Sequence, residues 1–511
     1  MQLKSNKLIA FNDLEQTIIQ LGFCTICGAC EAACPVHTIK VENEKPKRLY
    51  DCSELIDTCP ICYDICPHTD ALIYEALRFI ADAPKRREHF GYYRKVLIAQ
   101  ATDPNIRALT KSGGVVNALL NFALSNKIID SAVTSRASPI TSLKVKPSIG
   151  LVPDDMLSAV DSKIVPSAVA QAYGRAVFEH GKTHIAFVGI PCHIIGLRKL
   201  EAWQHKIVDS LEIVIGLFCL WGFSLSKLLE FLLSEYHVVA SEIQSVDLSA
   251  DTYVVNMENR QKQIPLSKIK FHILNRCKTC IDFTSEYADL SLGGATPLKD
   301  WSIVIIRTKK GEELFNKALT SGVLTTKNIE DEPQALAHLI QLSAYKRDSA
   351  LREMKNMRNN GIYIPAGAEL SVRPRSSEIR VLETVKVEQI MTREVAALSP
   401  TLTVSQFLEK IAEYHHVGFP IMDESCKIIG IVTLQDAMKI AEEKRNVTSI
   451  GTICTKRLIT IYSDDSVAEA LSKMDKHGIG RLLVFDKTGK RGLVGILTRS
   501  DIMHLIRETL Y

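Results

Sequence analysis

Eight of the chain's 14 cysteines fall between positions 24 and 66, in two runs whose spacing fixes the chemistry of that stretch. The first run is Cys24-x2-Cys27-x2-Cys30-x3-Cys34-Pro35. Three thiolates from one tight loop can cap three irons of a cubane, while the fourth cysteine ligates a neighbouring cluster and the proline turns the chain away. Gly28 and Ala29 are small enough to let backbone amides approach the sulfides. Zinc sites use two cysteine pairs separated by a longer loop, so this spacing favours iron–sulfur chemistry. The second run, Cys52-x6-Cys59-x2-Cys62-x3-Cys66-Pro67, repeats the pattern except for the six-residue gap after Cys52, the least regular of the eight. The expected arrangement puts Cys24, Cys27, Cys30 and Cys66 on one [4Fe-4S] cluster. Cys34, Cys52, Cys59 and Cys62 then hold the other. Two cubanes so placed conduct electrons rather than bind substrate. His37 and Tyr63 read as residues that pack against them.

Composition sets the remaining bounds. A chain of 511 residues implies several domains. A net charge of +4 argues against broad nucleic-acid binding. The longest apolar run, Ile213 to Phe223, is far short of the roughly 20 residues that span a bilayer, so any membrane link is expected through a partner. Asp and Glu follow soon after the short apolar patch of the N-terminal sequence, which argues against a secretory signal. A cytoplasmic location is expected, where clustered cysteines bind metal rather than form disulfides.

The organisation reads as an α/β multidomain chain. Residues 1–20 form a short helical lead-in. Residues 21–85 carry the eight cysteines and little else that could build a core, a ferredoxin-type segment for two clusters. Residues 86–365 alternate β-branched runs with helical patterns, an α/β domain. Strands are predicted at Val96–Ala99, Ile185–Ile190, Val208–Leu217 and Ser302–Arg307. Helices are predicted at Val115–Leu124, Ala168–His180 and Lys227–Glu235. A polar linker, 366–380, precedes residues 381–511.

Four more cysteines are dispersed through the α/β domain: Cys192 in Gly-Ile-Pro-Cys-His, Cys219 in Gly-Leu-Phe-Cys, and Cys277-Lys-Thr-Cys280. Cys192 and Cys219 each follow an apolar strand, and strand ends of an α/β domain converge on one edge where sites are built. Four thiolates there suit a third [4Fe-4S] cluster. The spacing alone equally fits two buried cysteines beside a redox or zinc-binding pair. Ser112-Gly113-Gly114 precedes an apolar helical pattern, and glycines at a helix start expose N–H groups to an anion. The plain alternative is an N-cap by Ser112.

Several motifs resemble the coenzyme F420 hydrogenase/dehydrogenase beta-subunit family: Lys111-Ser-Gly-Gly-Val-Val, Asp161-Ser-Lys163, Gly189-Ile-Pro-Cys-His to Arg198, Phe218-Cys219, and Arg276-Cys-Lys-Thr-Cys to Gly294. The resemblance covers most of residues 20–365. It implies FAD, a cluster on Cys192, Cys219, Cys277 and Cys280, and hydride exchange with coenzyme F420, an anionic deazaflavin. It implies cofactor contacts for Ser112, Gly113, Gly114 and Lys163. His193 departs from it, standing where Gln is common. Relatives acting on pigments with ferredoxin electrons belong to the same family, so a ferredoxin-dependent flavin reductase of another substrate is the alternative reading. No acid/base residue is apparent, and hydride transfer between flavins need not require one.

Residues 381–511 contain a repeat. Val404-Ser-Gln-Phe-Leu recurs at Val467-Ala-Glu-Ala-Leu, and Gly430-Ile-Val-Thr at Gly495-Ile-Leu-Thr, as two β-α-β-β-α units near 385–445 and 446–511. The halves resemble a pair of cystathionine-β-synthase-type (CBS) modules, an α+β architecture. In that family the matching Thr and Asp contact adenosyl nucleotides, here Thr433 with Asp436 and Thr498 with Asp501. AMP, ADP or ATP are the ligands implied; helix capping is the structural alternative. Cys426 and Cys454 read as core thiols, and His415, His416 and His477 as surface groups at helix ends. A homodimer through these modules, and ferredoxin or another electron-transfer subunit as partner, complete the expectation. A nucleotide- and redox-sensing regulator is the non-enzymatic alternative.

Overall fold

The computed structural model describes residues 10–42, 44–52, 59–77, 79–80, 83–108, 112–137, 143, 145–156, 165–203, 205–248, 252–365, 382–414, 416, 418–425, 427–477, 479–487, 492–498, 501–502 and 505. Lys163, the 366–380 linker, His415 and Cys426 lie outside them.

The cysteine-rich segment has little regular structure. β1 (Ile39–Glu42) and β2 (Lys45–Arg48) form a hairpin, with short helices at Ala29–Ala33, Ile61–Asp64 and Ile73–Leu77. β3 (Lys85–Arg87) and β4 (Gly91–Tyr93) pair beyond it. The poor core content read from the sequence has a structural answer, because the segment borrows its core. Gly28 adopts φ 83°, and a Cβ there would lie 2.7 Å from the Gln171 nitrogen. At Gly174 a Cβ would lie 3.0 Å from that of Ala32. Small residues thus let the Ala29–Ala33 helix seat directly on the Val169–Phe178 helix. The lead-in begins with an Ala10–Leu14 helix. Its Phe11, Leu14 and Ile18 pack with Ala350, Met354 and Met357 of the long Pro333–Asn359 helix.

The central domain is an eight-stranded mixed sheet. Its strands are β5 (Lys95–Ala101), β6 (Ser131–Ala137), β7 (Val145–Gly150), β8 (Ile185–Gly189), β9 (Leu211–Leu217), β13 (Leu290–Gly294), β14 (Ser302–Ile306) and β15 (Leu324–Asn328). The order is β15-β5-β14-β13-β9-β8-β6-β7. β13, β9, β8 and β6 run parallel, and the pairings outside that block are antiparallel. Ile185-Ala-Phe-Val-Gly189 and Ser302-Ile-Val-Ile-Ile306 are buried throughout, the continuous apolar runs expected of strands covered on both faces. Side chains alternate accordingly. Ala186 and Val188 face the Val115–Ser125 and Lys309–Thr320 helices, whereas Ile185 and Phe187 face the Val169–Phe178 and Pro191–Trp203 helices. A smaller antiparallel sheet of β10 (Ile243–Leu248), β11 (Thr252–Met257) and β12 (Gln261–Pro265) packs alongside.

The C-terminal repeat gives β16 (Gly418–Met422) with β17 (Ile428–Thr433), and β18 (Thr460–Tyr462) with β19 (Arg481–Phe485) and β20 (Leu493–Thr498). β18 pairs in parallel with β19, and in the first module a lone parallel bridge, Leu398 to Ile421, stands at the equivalent place. The modules exchange edges: Thr392 bridges Ile496 and Thr455 bridges Ile431. Among the described residues no helix is long and apolar enough to cross a membrane.

Candidate functional site

Twelve cysteines gather into three groups. Cys24 and Cys27 lie on the loop opening the Ala29–Ala33 helix, where Ile26 (φ 58°) and Gly28 are left-handed, and Cys30 lies in the helix's first turn. Cys66 follows the Ile61–Asp64 helix. Burial pushes the Cys24 thiol up to about 12, and Cys66 adds to the rise. Cys27 is raised by burial, then by Cys66, Cys30 and Cys24. The second group is Cys34, Cys52, Cys59 and Cys62. Burial takes Cys59 to about 12, and both Cys59 and Cys62 are raised further by Cys34 and Cys52. In the third, burial takes Cys219 to about 12 and Cys277 to about 11, with Cys280 raising both and Cys277 also raising Cys219.

The groups adjoin. Cys30 is raised by Cys62 and Cys34 of the second group, after burial and its own neighbours. Cys192 is raised first by burial and then by Cys27, ahead of Cys277 and Cys219 of its own group. The order in space is therefore second, first, third. Backbone N–H groups aim at the sulfurs: Ile26 at Cys24, 3.4 Å away, Val36, Thr38 and Ile39 at Cys34, and His68 and Thr69 at Cys66. Mutually repelling thiols, buried and ringed by N–H donors, fit a cluster that would neutralise them. Among the described residues no His, Cys, Asp and Glu group is drawn together tightly enough for a single metal ion. A cubane's four ligands sit on four different irons and need a wider ring.

The sheet explains the third group. β8 and β9 are adjacent and parallel, so Cys192, opening the Pro191–Trp203 helix, and Cys219, just past β9, emerge at the same edge. Ser112, Gly113 and Gly114 follow β5, whose C-terminal end lies at that edge too. Gly113 has φ 79°, and a Cβ there would lie 2.5 Å from the Asp300 carbonyl oxygen. The N-cap of the Val115–Ser125 helix is Gly114, which corrects the capping alternative at Ser112. One turn in, the buried Asn117 amide nitrogen has no hydrogen-bond partner. An orphaned donor beside an uncapped helix N-terminus fits an anionic cofactor group.

Three buried cations brace these loops, Lys199 and Lys346 outside every quoted motif and Arg276 at the opening of one. Lys199 donates to the carbonyls of Cys66 (2.6 Å) and Thr69 (2.9 Å), and burial lowers its pKa to about 8. Lys346 donates to the carbonyls of Cys219 and Asp282, each at 2.5 Å. Arg276 Nε donates to His68 Nδ1 at 3.0 Å. Because guanidinium only donates, His68 carries its proton on Nε2 and donates to Thr25 Oγ1 at 2.7 Å. The Thr25 hydroxyl in turn opposes the rise of the Cys192 thiol. The relay thus runs from beside Cys277, past Cys66 and Cys24, to Cys192. His37 stacks edge-on against Phe178, and Tyr63 reaches Asp70 at 3.5 Å.

A cavity of about 410 Å³ at the CBS-like modules is lined by Thr433, Asp436, Thr498 and Asp501. Thr433 N–H and Oγ1–H donate to Asp436 at 3.1 and 2.6 Å; Thr498 repeats this on Asp501 at 2.7 and 2.8 Å. His416 lines the cavity, Cys454 is buried in the first module's core, and His477 is an exposed helix end.

Comparison with known proteins decides the family. Residues 96–173 match the N-terminal part, and residues 182–332 the C-terminal part, of the family described as coenzyme F420 hydrogenase/dehydrogenase, beta subunit. The coenzyme F420 hydrogenase subunit beta of Methanococcus voltae is 30% identical over 280 residues, 54% of this chain and 99% of that protein. The chain belongs to the coenzyme F420 hydrogenase/dehydrogenase beta-subunit family. It is an oxidoreductase of that F420-linked class. The coenzyme F420-dependent sulfite reductase of Methanocaldococcus jannaschii is 30% identical over 364 residues, 68% of this chain but 52% of that protein. A chain of the F420-reducing [NiFe] hydrogenase complex of Methanosarcina barkeri shares the fold, with 23% identity and a TM-score of 0.52 over 55% of this chain and 99% of that one. Residues 387–443 and 450–508 match the CBS domain, so this family member carries a CBS pair.

Proposed function

We propose that the chain exchanges electrons between coenzyme F420 and a separate redox partner, ferredoxin or another electron-transfer subunit, through FAD and three [4Fe-4S] clusters. The observation that carries this reading is the file of three four-cysteine groups ending at the sheet edge that also presents Ser112–Gly114. A bound flavin would take hydride as an electron pair and release electrons singly, the conversion needed between a deazaflavin and iron–sulfur clusters. The protein's residues supply position and dryness. Gly113, Gly114 and Asn117 offer N–H donors to an anionic group at the Val115–Ser125 helix, and Ser112 and Lys163 are proposed beside them. Cys192, Cys219, Cys277 and Cys280 would hold the nearest cluster. Cys24, Cys27, Cys30 and Cys66 would hold the middle one, and Cys34, Cys52, Cys59 and Cys62 the outermost. Residues 21–85 then act as a ferredoxin-type segment and 86–365 as the catalytic domain. Thr433, Asp436, Thr498 and Asp501 would hold an adenosyl nucleotide that regulates the flow, and the CBS pair would support a homodimer.

The test is anaerobic absorbance at the deazaflavin band, after reconstitution with iron, sulfide and FAD and with a viologen as electron partner. Bleaching or recovery of the band is expected. An unchanged band, with flavin and clusters shown to be present, would overturn the F420 reading in favour of another hydride acceptor.

A further inference from the structure

The CBS cleft is not built by the CBS pair alone. One wall comes from the second cysteine group, through Cys59 and through Pro35 beside Cys34; another comes from the central domain, through Trp203 and Lys206. Among the described residues, Lys206 is the only lysine on the cavity surface and the only cation there from outside the CBS pair, which itself contributes Arg457 and Arg481. It sits on the turn Lys206–Ser210, between the helix that Cys192 opens and the strand that Cys219 follows. Its ammonium pairs with the carboxylate of Asp436, the group that Thr433 also engages. Val36 and Cys59 pack against the apolar core of the first CBS module. The cavity, at about 410 Å³, falls within the usual range for small-ligand sites.

We infer that the cleft is a composite site for an adenosine 5′-phosphate in which Lys206, from outside the CBS pair, is a phosphate contact. Ligand entry exchanges the Lys206–Asp436 pair for two contacts, ribose hydroxyl on Asp436 and phosphate on Lys206. Because Cys59 forms the same wall, the phosphate's negative charge falls beside the outermost cysteine group and opposes the arrival of an electron there. Linkage makes the effect reciprocal, so reduction must weaken nucleotide binding by the factor by which nucleotide disfavours reduction. The inference rests on reading the CBS pair as an adenylate site and the second cysteine group as a cluster.

The experiment is equilibrium binding of AMP, ATP and adenosine to the full-length reconstituted protein, oxidised and dithionite-reduced. The wild type is expected to bind AMP about tenfold more weakly when reduced, while adenosine shows little redox dependence. Lys206→Met is expected to weaken AMP about tenfold and leave adenosine unchanged or tighter, since Asp436 is released. Lys206→Arg, which keeps the charge, restores phosphate preference. AMP binding that is equal in wild type and Lys206→Met, and equal in both redox states, overturns the inference while the adenylate reading stands. Absence of any adenylate binding by the wild type overturns that reading and the inference together.

Discussion

At the residue scale, the grouping of the eight N-terminal cysteines was legible because their spacing is regular. The groups that hold their loops were not. Lys199, Lys346 and His68 are single residues outside the quoted motifs, Arg276 drew notice only as the start of one, and their partners lie far off in sequence: Lys199 reaches Cys66 and Arg276 reaches His68. His68→Leu would leave the Nε of the buried Arg276 guanidinium without its partner, while Nη1 keeps Thr279, at a cost of about 1–3 kcal/mol. The expected outcome is a lower melting temperature and a shifted cluster potential with iron content retained, read by calorimetry and an EPR-monitored titration. Cys52, the spacing outlier, lies beside Cys34, Cys59 and Cys62. Cys52→Ser should lower iron from roughly twelve to roughly eight atoms per chain if it holds its cluster; unchanged iron content would remove it from the ligand set. His205 gives a pH signature. Burial lowers its pKa from 6.5 to about 4. Its neutral form is held in the fold, so the unfolded chain takes up the proton first as pH falls. The contribution is fully present above 6.5 and is lost progressively toward pH 4, about 3 kcal/mol in all. Thermal melts of the wild type and His205→Gln should converge across that interval as the wild type loses its advantage.

Among the elements, periodicity worked where burial was uniform. β5, β8 and β14 and the Val115–Ser125, Val169–Phe178 and Leu225–Tyr236 helices lie within a few residues of their sequence-based positions. β9 starts at Leu211 rather than Val208, because Lys206–Ser210 forms a 3₁₀ turn that apolar Ile207 and Val208 disguise as strand. β6, β7, β13 and β15 were not picked out; β7 and β15 are sheet edges with mixed exposure, which blurs the pattern. At the Gly113 turn, a side chain meets both a left-handed backbone and the Asp300 carbonyl. Gly113→Ala should destabilise this connection by about 1–2 kcal/mol from backbone strain alone, and a drop in flavin content at unchanged iron content would show that the effect is local. Ser291→Ala makes a contrasting case, since Ser291 accepts from the buried Arg307 at 2.7 Å far from that turn. It should lower stability by about 1–3 kcal/mol without selective loss of flavin.

For the whole molecule, the sequence showed four segments in a row, whereas the structure interlocks them. The lead-in rests on the Pro333–Asn359 helix, and Ala71 and Leu72 share a core with Val387, Val467 and Ile502 of the CBS pair. Such contacts join residues hundreds of positions apart, and no local pattern announces them. A chain ending at residue 365 should lose the cover over Val36, Cys59 and Trp203. It is expected to aggregate more readily and to lose one cluster faster in air than the full chain, measured as the decay of cluster absorbance.

That cover also imposes a timetable on biogenesis. The cysteines of residues 24–66 are synthesised well before the module that closes over Cys59. On the proposed assignment, iron and sulfide would reach the outermost group most easily before the C-terminal pair docks over Cys59. If the outermost group holds the proposed cluster, maturation becomes a race between cofactor delivery and the completion of the fold, and slow delivery would trap molecules that are well folded yet lack that cluster.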